Sequence, residues 1–367
     1  DQAALMDSAI RLIPPGEPLD PNKAMARATH PIDRLLANRD LAPNANYAYA
    51  ESGNKIYCLH CAGASGWRGL MASVEGEERK SRVAASRGVG GSHGGGAQAY
   101  NELGAKKLLI VPIEFNDRKG SPFSSGTIQT DRKTKIQNFF SANSYGKFTL
   151  PTVTFAPLTT LSQNAAYYTT TQNWQGTQQE GYVMLALEAE AKGKTTTLYN
   201  PDNFDFVCLV INHNLYSWAG LGQVGDKVNW IDGSQNGNGQ DQSAGVYLHE
   251  LGHNLGLFHA NAWDPDSTTQ ADDASGSQIA YGFEFDMMGN LSWAFNDDQK
   301  HFNASHKNQL NWLPWDHVQT VTDNYSGRIY AMDQTLVAGR KYALRVGVGA
   351  TLGGNSGLDY WVEHRSR

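Results

Sequence analysis

Hydrophobic and polar positions in the middle of the chain alternate in blocks that have the lengths of strands and helices. Short apolar runs at 108–115 and 204–212 predict buried strands, and the alternation over 147–155 predicts a further strand. Apolar residues at helical spacing predict helices over 130–142 and 180–192. Strands that alternate with helices in this way indicate an α/β layered half-domain.

The N-terminal residues have a different pattern. They lack strong strand periodicity, and short amphipathic helices are predicted at 10–13 and 32–37. Six glycines within 88–96 predict a flexible linker, and the Arg-rich stretch before it is a place where a processing protease could cut. We interpret residues 1–100 as a propeptide-like segment. The alternative is an extension that packs on the domain after it.

The C-terminal residues return to strand-like alternation. A closing helix is predicted over 302–312, followed by alternating stretches around Val321, 329–330, 342–346 and 360–364. We therefore expect a small β-rich region over residues 316–367, cut short at Arg367. The domain that carries the chemistry is then expected to span residues 101–315.

A dense cluster of histidines follows the predicted strands. His249 and His253 stand four residues apart, so on a helix their imidazoles share one face and can take two corners of a metal tetrahedron. His259 would leave that face if the helix continued. Gly256 can end the helix in a left-handed conformation and bring His259 back as a third ligand.

Three protein ligands leave the fourth position of a Zn²⁺ ion open, which is the arrangement of catalytic zinc sites. Glu250, directly after the first histidine, can then act as the base that takes a proton from water. The alternatives are a helix with surface histidines and a structural zinc site. The full pattern H-E-x-x-H-x-x-G-x-x-H favours one catalytic Zn²⁺ ion.

Two neighbouring stretches bear on ligands and substrate. Residues 219–225 are glycine-rich, and apolar and polar residues alternate over 227–231, which predicts an edge strand just before the zinc helix. Such a strand could bind an extended peptide by strand addition; the alternative is a surface hairpin. After His259, an acidic loop makes Ca²⁺ conceivable, but no calcium-loop spacing is met and a solvated loop is the simpler interpretation. Its acidic residues are Asp264, Asp266, Asp272 and Asp273.

Composition narrows the class of protein. The net charge is −6, from 30 basic and 36 acidic residues, and no basic patch indicates a nucleic-acid partner. No apolar run reaches the length of a membrane span, so no membrane partner is expected. The first residues lack the pattern of a secretory signal, which we expect to have been removed or never present. The oligomeric state stays open, and three glycosylation sequons, at Asn290, Asn303 and Asn324, carry little weight.

The histidine motif, together with Asp286-Met287-Met288-Gly289 downstream, resembles the metzincin zinc peptidases, which place a methionine turn beneath the metal. Met288 fits that methionine best and Met287 is the alternative. Over residues 105–365 the chain is similar to the gametolysin family within that group. The resemblance implies a metzincin-like α/β (α+β) domain with a mixed twisted sheet, and a secreted zinc endopeptidase that cleaves extracellular or cell-wall proteins.

The resemblance has departures and one further implication. Astacin-like and serralysin-like members carry a tyrosine two positions after the turn methionine, where this chain has Asn290, so no such tyrosine is expected. In several metzincin groups a propeptide cysteine blocks the zinc. Cys58 or Cys61 could do so here and make the chain a zymogen, but a Cys58–Cys61 disulfide or a reduced pair of no consequence is the alternative. The rival to an enzyme is a non-catalytic zinc-bearing adhesion module, which has no need of Glu250.

Overall fold

The computed structural model describes four short strands near the N-terminus and residues 102–366, apart from 175–176, 217, 234–242, 265–276, 280, 290–299, 322–323 and 348–358. The four N-terminal strands are β1 (Ile10–Ile13), β2 (Ala24–Met25), β3 (Tyr49–Ser52) and β4 (Lys55–Cys58). They form one sheet in the order β1-β3-β4-β2.

This sheet corrects two expectations for the N-terminal residues. The predicted helix at 10–13 is a strand that pairs antiparallel with β3, and strands occur where no strand periodicity was expected. Four residues are too few for periodicity to separate the two structures, so the distant partner strand decides. The predicted helix at 32–37, the glycine linker at 88–96 and Cys61 lie outside the described residues.

The remaining strands, in chain order, are β5 (Gly104–Glu114), β6 (Phe148–Phe155), β7 (Thr159–Thr160), β8 (Gln172–Trp174), β9 (Thr177–Gln179), β10 (Phe206–Ile211), β11 (Gly220–Gly222), β12 (Val228–Ile231), β13 (Ala262–Asp264), β14 (Ser277–Ile279), β15 (Val318–Val321), β16 (Ala343–Gly347) and β17 (Asp359–Glu363). The α-helices of the described residues are α1 (Gly126–Asn143), α2 (Gly181–Gly193), α3 (Ala244–Asn254) and α4 (Ala304–Gln309).

A six-stranded mixed sheet organises the central domain. Its order is β11-β12-β10-β5-β6, with β7 also pairing with β5. The strands are parallel except β11, which runs antiparallel to β12 at the sheet edge. The predicted strands near 108–115, 147–155 and 204–212 and the predicted helices near 130–142 and 180–192 are all present.

The two faces of this sheet bury separate cores. In β10, Val207 and Leu209 join the core that contains α2, whereas Phe206 and Cys208 join the core that contains α1 and α3. Successive side chains of β10 enter opposite cores because side chains alternate between the two faces of a strand. Both faces of the sheet are covered, so all the residues of β10 are apolar. The result is a mixed α/β architecture with few helices, compatible with a peptidase domain.

The C-terminal region forms a three-stranded sheet in the order β15-β16-β17. It contacts the central domain through α4, where the backbone N–H of Ala304 donates to a carboxylate oxygen of Glu363 at 2.6 Å. The prediction of a strand at 329–330 was wrong: Tyr330 makes a single backbone hydrogen bond to Lys341 at 2.8 Å outside any strand. Within the described residues, no helix is both long and apolar enough to cross a membrane.

Candidate metal centre

Helix α3 is buried along its whole length beneath the central sheet. Its C-terminal end is tied to the turn between β11 and β12: the backbone N–H of Gly225 donates to His253 O at 2.8 Å. The side-chain amide of Asn254 donates to Gln223 O and Val228 O, each at 3.0 Å. The helix is therefore fixed against the edge of the sheet.

Three buried imidazoles converge at this end of α3. The ring centroids of His249 and His253 lie 4.9 Å apart, and that of His259 lies 5.3 Å from the first and 4.8 Å from the second. One ligand atom from each ring falls within 4.8 Å of the others. Among the residues that the structure describes, no other histidine, cysteine or acidic group reaches this spacing in a cluster of three.

The chain reverses at Gly256, directly after the helix. Gly256 has φ of 95°, in the left-handed region that favours glycine, and its N–H donates to His253 O at 2.8 Å. The next N–H, that of Leu257, donates to Gly252 O at 3.0 Å. This turn brings His259 back toward the two histidines of the helix.

Backbone carbonyls orient two of the three rings. Nδ1 of His249 lies 2.8 Å from Met287 O, and Nδ1 of His253 lies 2.8 Å from Leu257 O. A neutral ring that donates from Nδ1 keeps Nε2 as the acceptor. Burial lowers the pKa of His249 to about 4 and lowers that of His253 well below its ordinary value, so the neutral form prevails at pH 7.

These residues fit a zinc ion. With Zn–N distances of roughly 2.0–2.1 Å, neighbouring ligand atoms of a tetrahedron lie about 3.3 Å apart. The Nε2 atoms of His253 and His259 lie 3.1 Å apart. Neutral imidazoles are donors that zinc accepts, and three of them leave one position for another ligand.

Glu250 is buried beside the triad, and two glycines of β11 make room for its carboxylate. A Cβ on Gly220 would lie 2.5 Å from Glu250 Oε1. A Cβ on Gly222 would lie 2.7 Å from the backbone oxygen of Glu250 and 2.7 Å from His253 Cβ. A side chain at position 220 or 222 would therefore clash with α3, and the two glycines allow β11 to lie this close to the helix.

The two methionines lie under the histidines in different ways. Met288 is fully buried, and its Sδ packs so closely beneath Gly252 of α3 that a Cβ there would overlap it. Met287 contacts the site through its backbone oxygen, which meets His249. The thioether under the helix is thus that of Met288, while Asn290 lies outside the described residues.

Asp286 holds this methionine turn in place. Its carboxylate accepts the backbone N–H of Met288 at 2.6 Å and that of Asn303, and it lies 3.1 Å from Nδ1 of His306. Burial alone would raise the pKa of Asp286, but the charge of His306 and these hydrogen bonds outweigh it and lower the pKa. The turn is therefore anchored to the start of α4.

Four further residues of the site were given no individual role in the sequence analysis. They are Gly220, Gly252, Asp286 and Tyr281, whose ring centroid lies 3.9 Å from that of His259. Gly252 lies inside the histidine motif and Asp286 directly precedes the two methionines, so adjacency was the available signal for these two residues. Gly220 belongs to the glycine-rich stretch 219–225, whose spacing does not indicate a contact with Glu250. Tyr281 had no such signal, because only strand pairing brings it to the histidines.

The proposed calcium ligands are largely outside the described residues. Asp264 ends β13, whereas Asp266, Asp272 and Asp273 fall in the undescribed range 265–276. The Ca²⁺ interpretation therefore stays untested. The same holds for a role of Cys58, which lies in β4, since only its backbone is described.

Comparison with known proteins gives one informative match. The family model described as gametolysin peptidase M11 matches residues 125–279, from the start of α1 to the end of β14. No curated protein matches the chain. A solved structure titled "Structure of a chaperone-substrate complex" is 14% identical over 59% of this chain and 34% of its own, with a TM-score of 0.30.

That structural likeness is too low to carry an argument, and the chain spans about a third of the length of that protein. The family match instead covers α3, all three converging histidines and the glutamate between the first two. The sequence resemblance to gametolysins is thus confirmed over residues 125–279, and this family match implies a metallopeptidase.

Proposed function

We propose that the chain is a secreted zinc endopeptidase of the metzincin type, in which His249, His253 and His259 would hold one Zn²⁺ ion. The observation that carries the proposal is the convergence of three buried imidazoles with the Glu250 carboxylate beside them. The sheet order, with one antiparallel edge strand next to the metal helix, supports the metzincin assignment.

When bound, zinc would supply Lewis acidity toward a carbonyl and lower the pKa of a water ligand to about 7. Glu250 takes the proton from the attacking water and passes it to the leaving amine, which completes hydrolysis of the peptide bond. Its neighbours Gly220 and Gly222 keep the carboxylate close to the histidines by leaving no side chain in the way. Met288 supports the helix that carries two of the ligands.

The substrate is a protein, as expected of a peptidase family, and we propose that it binds in an extended form along β11. This strand is the sheet edge nearest Glu250, where main-chain pairing could hold a peptide. Gly220, Leu221 and Gly222 are buried, and both glycines lie against α3.

The decisive experiment compares wild type with Glu250→Gln on casein. The variant should bind Zn²⁺ as wild type does, because the three histidines are intact, yet lose turnover by about 100-fold or more. A chelator should abolish wild-type activity and added Zn²⁺ should restore it. Turnover by Glu250→Gln equal to wild type would remove Glu250 from this role.

The same assay separates the enzyme from a zinc-bearing adhesion module. A module of that kind would bind Zn²⁺ and hydrolyse nothing, before or after proteolytic removal of the N-terminal residues. N-terminal sequencing after incubation shows whether a cut near residues 75–96 accompanies the appearance of activity. Activity that appears with this cut supports the zymogen interpretation.

A further inference from the structure

The ring of Tyr281 lies directly against the histidine triad, and the proposed reaction makes no use of it. Its centroid lies 3.9 Å from that of His259, with the ring planes inclined by 35°. It also faces the ring of His249, at 5.9 Å and 28°. Tyr281 is half-buried, so its ring covers one side of the cluster.

Strand pairing explains how a distant residue reaches this place. β13 and β14 pair antiparallel, with Ala262 opposite Ile279. The pairing continues toward the metal centre, where the backbone N–H of Phe283 donates to Ala260 O at 3.1 Å. Ile279 and Phe283, two residues before and after Tyr281, therefore pair with residues 260–262, which directly follow His259.

The backbone at Tyr281 is held in a costly conformation. Its φ is 58°, in the left-handed region that bulky residues rarely adopt. The N–H of Tyr281 donates to Oδ1 of Asn261 at 2.8 Å, which helps to fix this conformation. Glycine would adopt it at lower cost, so a tyrosine at this position indicates that the ring itself has a use.

His259 is not part of the helix that carries the other two histidines. His249 and His253 project from a rigid helix that is buried throughout, and backbone carbonyls orient their rings. His259 follows the helix on a stretch of chain without regular structure. The face of its imidazole packs on the Tyr281 ring, which restricts rotation about its side-chain torsions.

We propose that Tyr281 is a positioning residue whose aromatic ring holds the imidazole of His259 in the orientation that binds metal. The inference rests on the proposed zinc site and adds a residue that lies outside the histidine motif. Residues that orient metal ligands typically contribute 10- to 100-fold to metal affinity. The phenol hydroxyl has no part in this role, so phenylalanine should replace tyrosine.

The test measures metal binding without reference to catalysis. Zn²⁺ affinity is determined by competition with a chromogenic chelator for the full chain and for Tyr281→Phe, Tyr281→Leu and Tyr281→Ala. Each variant is a non-glycine residue, so the strain at φ of 58° is common to all of them and the ring is the difference. The visible spectrum of the Co²⁺-substituted protein reports ligand geometry in the same samples.

Tyr281→Phe should match wild type in Zn²⁺ affinity and Co²⁺ spectrum, whereas Tyr281→Ala should bind Zn²⁺ about 10-fold or more weakly, with a weakened Co²⁺ spectrum. The exposed Tyr325 offers a control, and Tyr325→Ala should behave as wild type. Thermal unfolding of the metal-free proteins shows whether Tyr281→Ala folds. If it does not, Tyr281→Leu, which lacks an aromatic face, takes its place and should bind more weakly than Tyr281→Phe.

Wild-type affinity and spectrum in both Tyr281→Ala and Tyr281→Leu would overturn the inference while leaving the zinc site intact. Equal losses in Tyr281→Phe and Tyr281→Ala would also overturn it, because they would assign the effect to the hydroxyl. Failure of wild type itself to bind Zn²⁺ or Co²⁺ would instead overturn the proposed function.

Discussion

Gly220 lies against the carboxylate of Glu250, so closely that a methyl group on Gly220 would lie 2.5 Å from Oε1. The two residues belong to different elements, the edge strand β11 and the helix α3, and the strand β12 lies between these elements along the chain. The position of the base that we propose therefore depends on the absence of a side chain in a neighbouring strand.

Gly220→Ala should lower turnover while leaving Zn²⁺ affinity unchanged. The added Cβ would also lie 2.7 Å from Cγ of Glu250, so the carboxylate must move, and a displacement of about 1 Å at a reacting group can cost 100-fold in rate. Steady-state kinetics on a peptide substrate, with parallel chelator competition, measures both quantities.

Two other glycines give the matched controls for that experiment. Gly126→Ala, at the start of α1, meets nothing within 4 Å and should keep wild-type kinetics. Gly222→Ala would press on the backbone of Glu250 and on His253, so it should weaken Zn²⁺ binding as well as turnover. Full activity in Gly220→Ala would show that this contact does not position the carboxylate.

Gly252→Ala should destabilise the protein, whereas replacement of a glycine inside a helix by alanine ordinarily stabilises it. Alanine is ordinarily better there by about 1 kcal/mol. Here the new Cβ would overlap Met288 Sδ and lie 3.2 Å from the ring of Phe302, and overpacking of a core costs about 1–3 kcal/mol. We expect a net loss of about 1 kcal/mol in the free energy of unfolding by urea.

The double variant Gly252→Ala with Met288→Ala identifies the cause. Once the thioether is removed, the methyl group at residue 252 has room, so the two substitutions should cost less together than the sum of their separate effects. Strict additivity in urea unfolding would mean that Met288 is not what opposes a side chain at residue 252.

Lys307 should make stability depend on pH above neutrality. It is fully buried, and burial, assisted by the charge of Arg365, lowers its pKa from 10.5 to about 7. Between about pH 7 and pH 10 the unfolded chain binds this proton and the folded chain does not, so the contribution of Lys307 to stability rises with pH in that window. Below pH 7 the folded protein carries the cost of a buried ammonium group.

The variant Lys307→Met removes that cost. It should be at least as stable as wild type at pH 6 and should lose this advantage progressively toward pH 9, as followed by urea unfolding. Lys133→Met, at an exposed position of α1, should leave the pH profile unchanged. Profiles of wild type and Lys307→Met that stay parallel from pH 6 to pH 9 would contradict the shifted pKa.

Much of the central domain could be predicted because its elements are long and locally patterned. The run at 204–212 indicated a buried strand, and β10 is one. The four-residue stretch 10–13 was misassigned, since its strand conformation depends on pairing with β3 and not on its own pattern. The alternation around 329–330 likewise produced no strand, since Tyr330 shares only one backbone hydrogen bond with Lys341.

The sequence by itself determined the chemistry of the site: histidines four apart share a helix face, a glycine permits the reversal after them, and the glutamate follows the first histidine. These relations are local, so helix geometry and backbone sterics are enough to infer them. Only the tertiary structure decided which groups surround that chemistry. The close approach of Gly220 to Glu250, of Met288 to Gly252 and of Tyr281 to His259 arises from packing and strand pairing between segments far apart in the chain, for which sequence spacing carries no signal.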